Sequence, residues 1–116
     1  MIRIRVKGVS FTDGHADWRG GPIDLAVDGH ALFAPKGNDI VCAGVSVLVQ
    51  SLARFLVSRE VVLEVSRNED HFGIGFSPDS QGSQFDGSVL GSVEMTLHGL
   101  TMMAESYPDH VDIEIE

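Results

Sequence analysis

Cys42 and His30 stand twelve positions apart on either side of one loop, and together they are the residue types needed to open a peptide carbonyl. A thiol attacks carbonyl carbon only as thiolate. A neighbouring imidazole can take the thiol proton and later hand it to a leaving amine. Cys42 is the chain's only cysteine. Residue type leaves a second reading open, because an unpaired cysteine between Val41 and Ala43 also suits a packed core.

The base has a competitor. Asp13-Gly14-His15-Ala16 repeats Asp28-Gly29-His30-Ala31, so composition allows either histidine. Position separates them: His30 ends an apolar alternating segment and is tied to Cys42 by a short loop, whereas His15 lies in a polar stretch and reads as a solvated residue. His71, His98 and His110 read as structural or surface groups. Ser46, four residues after Cys42, shares its helical face and can hydrogen-bond near a thiolate or back to the helix backbone. Asp39 can orient His30 or cap the helix, and the cap is the simpler expectation. Backbone N–H groups around Ala43 are the expected oxyanion donors. Asp13, His15, Asp17, Asp28 and His30 offer metal donors, but they match no compact zinc spacing, so neither a metal nor a cofactor is expected.

The elements that position these groups follow from periodicity. Ile2, Ile4 and Val6 alternate with Arg3, Arg5 and Lys7, which predicts a strand with one buried face. Residues 8–22 are rich in turn formers and leave room for a short hairpin. Ile23, Leu25 and Val27 then alternate in a strand over residues 23–31. Gly37 precedes a helix that Asn38 or Asp39 can cap. Val41, Val45, Leu48, Leu52 and Phe55 trace its apolar face, and it should end near Ser58. Cys42 then falls in the first turn, where unpaired N–H groups and the aligned dipole lower a thiol pKa.

Residues 60–66 and 71–77 read as a hairpin closed by Arg67-Asn68-Glu69-Asp70. The polar stretch 78–87 is a candidate rim for a cleft. Leu90, Val93, Leu97, Leu100, Ala104 and Tyr107 predict a second helix from about Asp86 to Ser106, stopped before Pro108. Met95, Met102 and Met103 exceed its stripe and are expected as extra core, with self-association through this helix or an edge strand as the alternative. Val111, Ile113 and Ile115 alternate in a last strand. The expected fold class is α+β: a mostly antiparallel sheet of about five strands with two helices packed on it, in the order β-β-α-β-β-α-β.

Composition narrows the partners. A chain of 116 residues holds one ordinary core, so one domain is expected. Its formal charge of −9 repels a phosphate backbone and attracts a basic peptide, so direct nucleic-acid binding is not expected. One cysteine forms no intramolecular disulfide, the alternating start is unlike a signal peptide, and no stretch is read as a membrane span. The expected compartment is the reducing cytoplasm, with no membrane partner.

The residues Gly29-His30-Ala31, Gly37, Asp39-Ile40-Val41-Cys42-Ala43 and Val45-Ser46 resemble, in type and spacing, the ribosomal-processing cysteine proteases of the Prp family. The order of elements, with a last helix ending in Tyr107-Pro108-Asp109, is similar as well. The resemblance implies that residues 1–116 form a single cysteine-protease-like domain with Cys42 as nucleophile and His30 as proton acceptor and donor. It implies that the loop containing Gly37 shapes the substrate site, and that the substrate is the N-terminal extension of a large-subunit ribosomal protein, cut by a homodimer. Two departures stand out. Gly44 occupies a position where the family commonly has Ala, loosening the helix by up to about 1 kcal/mol, and residues 8–22 exceed the usual first hairpin. The alternative function is a non-catalytic module that binds a ribosomal or other basic protein through the same cleft.

Overall fold

The computed structural model describes residues 1–35, 37–79 and 87–116. In chain order the elements are β1 (Ile2–Lys7), β2 (Val9–Thr12), β3 (His15–Trp18), β4 (Ile23–Asp28), α1 (Ile40–Ser58), β5 (Glu64–Asn68), β6 (His71–Phe76), α2 (Gly87–Ser106) and β7 (Val111–Ile115). The main sheet has five strands in the order β5-β6-β4-β1-β7, and β2 pairs with β3 in a separate hairpin. All neighbours in the main sheet are antiparallel except β1 and β7. This is the expected α+β architecture, with the hairpin filling the stretch between the first two sheet strands.

Alternation explains which face is covered. Ile2, Ile4 and Val6 of β1 are buried while Arg3, Arg5 and Lys7 are exposed, and β4 repeats the pattern with Ile23 and Leu25 against Asp24. The buried set meets Val41, Val45, Val49, Leu52 and Leu56 of α1 and Val89, Val93, Leu97 and Leu100 of α2 in one cluster. Each such side chain contributes roughly 1.5–3 kcal/mol when fully buried. Both helices therefore lie on one side of the sheet.

α1 is long and apolar enough by length and composition to cross a membrane, which corrects the expectation that no stretch qualifies. Its apolar stripe is buried against the sheet and α2 instead, as in the core helix of a globular fold. Gly44 has a packing role on this helix: a Cβ there would meet Met103 Cε at 2.9 Å. The missing methyl leaves room for the end of the Met103 side chain.

Three boundaries depart from the periodic reading. β5 starts at Glu64 rather than near residue 60, because residues 59–61 close α1: their N–H groups bond back to the carbonyls of Phe55, Leu56 and Val57. The hairpin turn is consequently shorter, with Asn68 paired to His71 around Glu69 and Asp70. β4 ends at Asp28, where Gly29 takes φ +86°. Met103 packs against the core as expected, but Met95 and Met102 are 77% and 62% exposed, since the buried stripe of α2 is narrower than its apolar composition. Residues 80–86, most of the expected cleft rim and the expected helix start at Asp86, lie outside the described residues.

Candidate active site

His30 and Cys42 reach the same cleft from different elements. His30 follows the end of β4, where Gly29 makes a left-handed turn that a side chain would not fit, since a Cβ would sit 2.4 Å from the Met1 carbonyl oxygen. Cys42 lies in the first turn of α1. Two cavities flank the pair. One of about 460 Å³ is lined by His30, Cys42, Ser46, Gln50, Glu69 and Asp70 among others. The second, about 590 Å³, lies under the connecting loop and adds Leu32, Gly37, Asp39 and Ala43 to the shared His30, Cys42 and Ser46.

Asp39 organises the start of α1. With φ −86° and ψ 100° it is the N-cap, and its carboxylate accepts from the N–H groups of Val41 and Cys42, each at 3.0 Å. The second carboxylate oxygen accepts from Phe33 at 3.1 Å and Ala34 at 3.5 Å, which folds the loop back onto the helix. The Cys42 N–H bond, foremost among these, holds the Asp39 carboxyl below its ordinary pKa. Of its two expected roles Asp39 takes the cap.

The thiol departs from expectation. Burial pushes the Cys42 pKa up, the Ala31 N–H donating to Sγ at 3.3 Å works against that, and the Asp39 charge adds to the rise. A free helix N-terminus would favour the thiolate. Here the first-turn N–H groups already face a fixed carboxylate, whose charge works against their field at the sulfur. The expected oxyanion donors change for a related reason, because the Ala43 N–H is engaged with the Asp39 carbonyl at 3.1 Å.

Ser46 bonds neither to the thiol nor back to the helix backbone. Its Oγ accepts from the Gln50 side-chain amide at 2.7 Å, which leaves its own hydrogen to donate. The imidazole of His30 is held by a residue that periodicity did not single out: Nε2 lies 2.6 Å from Asp70 Oδ1. Asp70 sits in the β5–β6 turn, and its carbonyl accepts from the Gly29 N–H at 2.9 Å.

The loop is anchored at its other flank by the turn after α2. Ala31 is buried, its carbonyl lies 2.7 Å from His110 Nδ1, and the Phe33 ring stands edge-on to both Tyr107 and His110. Leu32 takes φ +56° between them and is 76% exposed. His110 is thus a structural group, as expected.

The other sequence candidates go elsewhere. His15 is exposed on β3 and lines neither cavity. Its hairpin docks on α2 through His98, whose Nε2 lies 2.8 Å from the Gly14 carbonyl, and through the Ala16 N–H, which donates to Glu94 at 2.8 Å. Asp28 pairs with His71 at 2.6 Å on the open face of the sheet. Among the described residues no three His, Cys, Asp or Glu side chains converge as a metal site.

Comparison with known proteins follows the same lines. Residues 1–112 match the family described as cysteine protease Prp. The ribosomal processing cysteine protease Prp of Mycoplasma pneumoniae is 26% identical over 90 residues, covering 78% of this chain and 84% of that protein. The fold superposes with a TM-score of 0.76 on the Staphylococcus aureus ribosomal processing protease Prp bound to a covalently linked product peptide, at 20% identity and full coverage of both chains. A Streptococcus mutans protein of known structure gives a TM-score of 0.67 at 26% identity, covering 99% of this chain and 93% of its own.

Proposed function

The chain belongs to the cysteine protease Prp family, and on that footing we propose that Cys42 and His30 form the dyad of an endopeptidase that removes the N-terminal extension of a large-subunit ribosomal protein. The observation that carries the proposal is the cleft itself: the only cysteine and His30 line both cavities, on the matched stretch of the chain. Family membership sets aside the non-catalytic module.

In the described conformation the sulfur bonds to the Ala31 N–H and the imidazole to Asp70. Peptide binding would expel water, bring the thiol and the free ring nitrogen of His30 together and form the thiolate–imidazolium pair. Sulfur then attacks the scissile carbonyl, and His30 protonates the departing amine. Water attacks the resulting thioester with His30 as base and regenerates the thiol. The Ser46 hydroxyl, one turn along α1 and polarised by Gln50, is the proposed oxyanion donor in place of the Ala43 N–H.

Net charge of −9 supports a basic substrate such as a ribosomal protein, whose encounter it would speed at low salt. Work in the cytoplasm as a homodimer completes the reading. The exposed Met95 and Met102 border an apolar groove with Leu48, Leu52 and Phe55, a face suited to a second copy. Light scattering on wild type and Met95→Glu tests the dimer. For the activity, purified protein is incubated with a large-subunit ribosomal protein bearing its extension. Cys42→Ala and His30→Ala should each abolish the cut, and retained cleavage in either variant defeats the proposal.

A further inference from the structure

His30 can carry its proton on either ring nitrogen, and only one arrangement lets it serve as base to Cys42 while held by its neighbour. Asp70, ionised, is acceptor-only. Its Oδ1 lies 2.6 Å from Nε2, so in the neutral ring the proton must sit on Nε2 and Nδ1 keeps the lone pair. We infer that Asp70 is the positioning residue of the proposed reaction, fixing the His30 tautomer so that Nδ1 takes the Cys42 proton. The inference rests on the dyad reading and adds a third member to it.

The turn that carries Asp70 is built to hold it. The Asp70 N–H donates to Asn68 Oδ1 at 2.8 Å, and its carbonyl accepts the N–H of Gly29, the residue before His30. One residue therefore grips the end of β4 by its backbone and the imidazole by its side chain. Of the other nearby carboxylates, Asp39 is committed to the loop and helix N–H groups and Asp28 to His71, while Glu69 lines the cavity beside Asp70 without a hydrogen bond to the ring. As a stability element the pair contributes little, because its side chains are 54% and 70% exposed. Its geometry makes sense as orientation.

Proton transfer from Cys42 Sγ to His30 Nδ1 leaves an imidazolium whose Nε2–H still faces the Asp70 carboxylate. That carboxylate keeps the ring oriented as the thiolate–imidazolium pair forms. Arg67, Glu69, His71, Asp39 and Cys42 also line the two His30 cavities, and all are unchanged when only residue 70 is altered.

The test uses Asp70→Asn in the full chain. Expected are a fall in kcat of roughly 10- to 100-fold with KM little changed, and an altered pH profile of kcat/KM. Thermal unfolding should be unmoved, and Asp70→Glu should recover part of the rate. A measurement independent of turnover is nitrogen-15 NMR of the His30 ring in Cys42→Ala near pH 8.5: the Nε2–H form is expected, becoming a mixture when Asp70→Asn is added. An unchanged rate and pH profile in Asp70→Asn, while Cys42→Ala and His30→Ala are dead, overturns this inference and leaves the dyad standing. An Nδ1–H ring in Cys42→Ala overturns it as well. Cleavage persisting in Cys42→Ala defeats the dyad and the inference with it.

Discussion

The Ala31 N–H points at the Cys42 sulfur across 3.3 Å, and it is the one contact named above that favours a thiolate against both burial and the Asp39 charge. The free protein should therefore alkylate slowly with iodoacetamide at neutral pH, with a rate midpoint above the ordinary thiol value of about 8.5. A bound, uncleavable peptide that brings His30 to the sulfur should move the midpoint down. A midpoint well below 8 in the free protein would show that the imidazole already meets the thiol.

Asp39 joins four N–H groups, those of Phe33, Ala34, Val41 and Cys42. Asp39→Ala should lower the melting temperature by several degrees and expose residues 31–39 to limited proteolysis, since it removes both the cap and the loop tie. The pH dependence has a definite sign. The folded pKa is lowered, so the contribution is complete above the unfolded value of about 3.9 and is lost as pH falls through the folded value. The melting difference between wild type and Asp39→Ala should persist at pH 5 to 8 and shrink only in stronger acid.

The parts of the site that the sequence discloses are those encoded within a few residues. Asp39 as cap, Cys42 in the first turn and His30 past a strand end all follow from spacing, because helix period and capping are local. Asp70 is not legible in this way. Its meeting with His30 spans 40 residues and depends on β6 pairing with β4 in the register Asp28↔His71, which no single segment specifies. The signal available was an acid in a hairpin turn beside a strand paired to the one that delivers His30. The thiol's raised pKa was hidden for a different reason: its largest cause is burial, which only the tertiary fold imposes, and the capping carboxylate that makes the helix start recognisable adds to it.

Gly29 should tolerate no side chain. Gly29→Ala places a Cβ against the Met1 carbonyl at φ +86°, and the combined strain should destabilise the fold by roughly 1–3 kcal/mol. Denaturant unfolding measures the loss. Because the turn also aims His30, kcat should fall even at temperatures where the variant is fully folded. Full activity in Gly29→Ala would mean that the imidazole is placed by other contacts.

Phe33 ties the loop to the turn before β7 through its edge-on contacts with Tyr107 and His110. Phe33→Ala should quicken hydrogen exchange over residues 31–39 and leave the β1, β4 and β6 amides as protected as before. Aromatic pairs of this kind contribute about 0.5–1.5 kcal/mol beyond their buried area, so the local opening free energy should drop by about that much.

The bond from His110 to the Ala31 carbonyl joins positions 79 residues apart. It gives the enzyme a schedule as well as a shape. While the chain is being synthesised, His30, Cys42 and their loop leave the ribosome long before His110 and β7, which completes the sheet beside β1. A growing chain thus carries its thiol without the final brace on the loop above it. Proteolytic competence should arrive with the last strand, so a half-made copy holds the nucleophile but not the means to aim it.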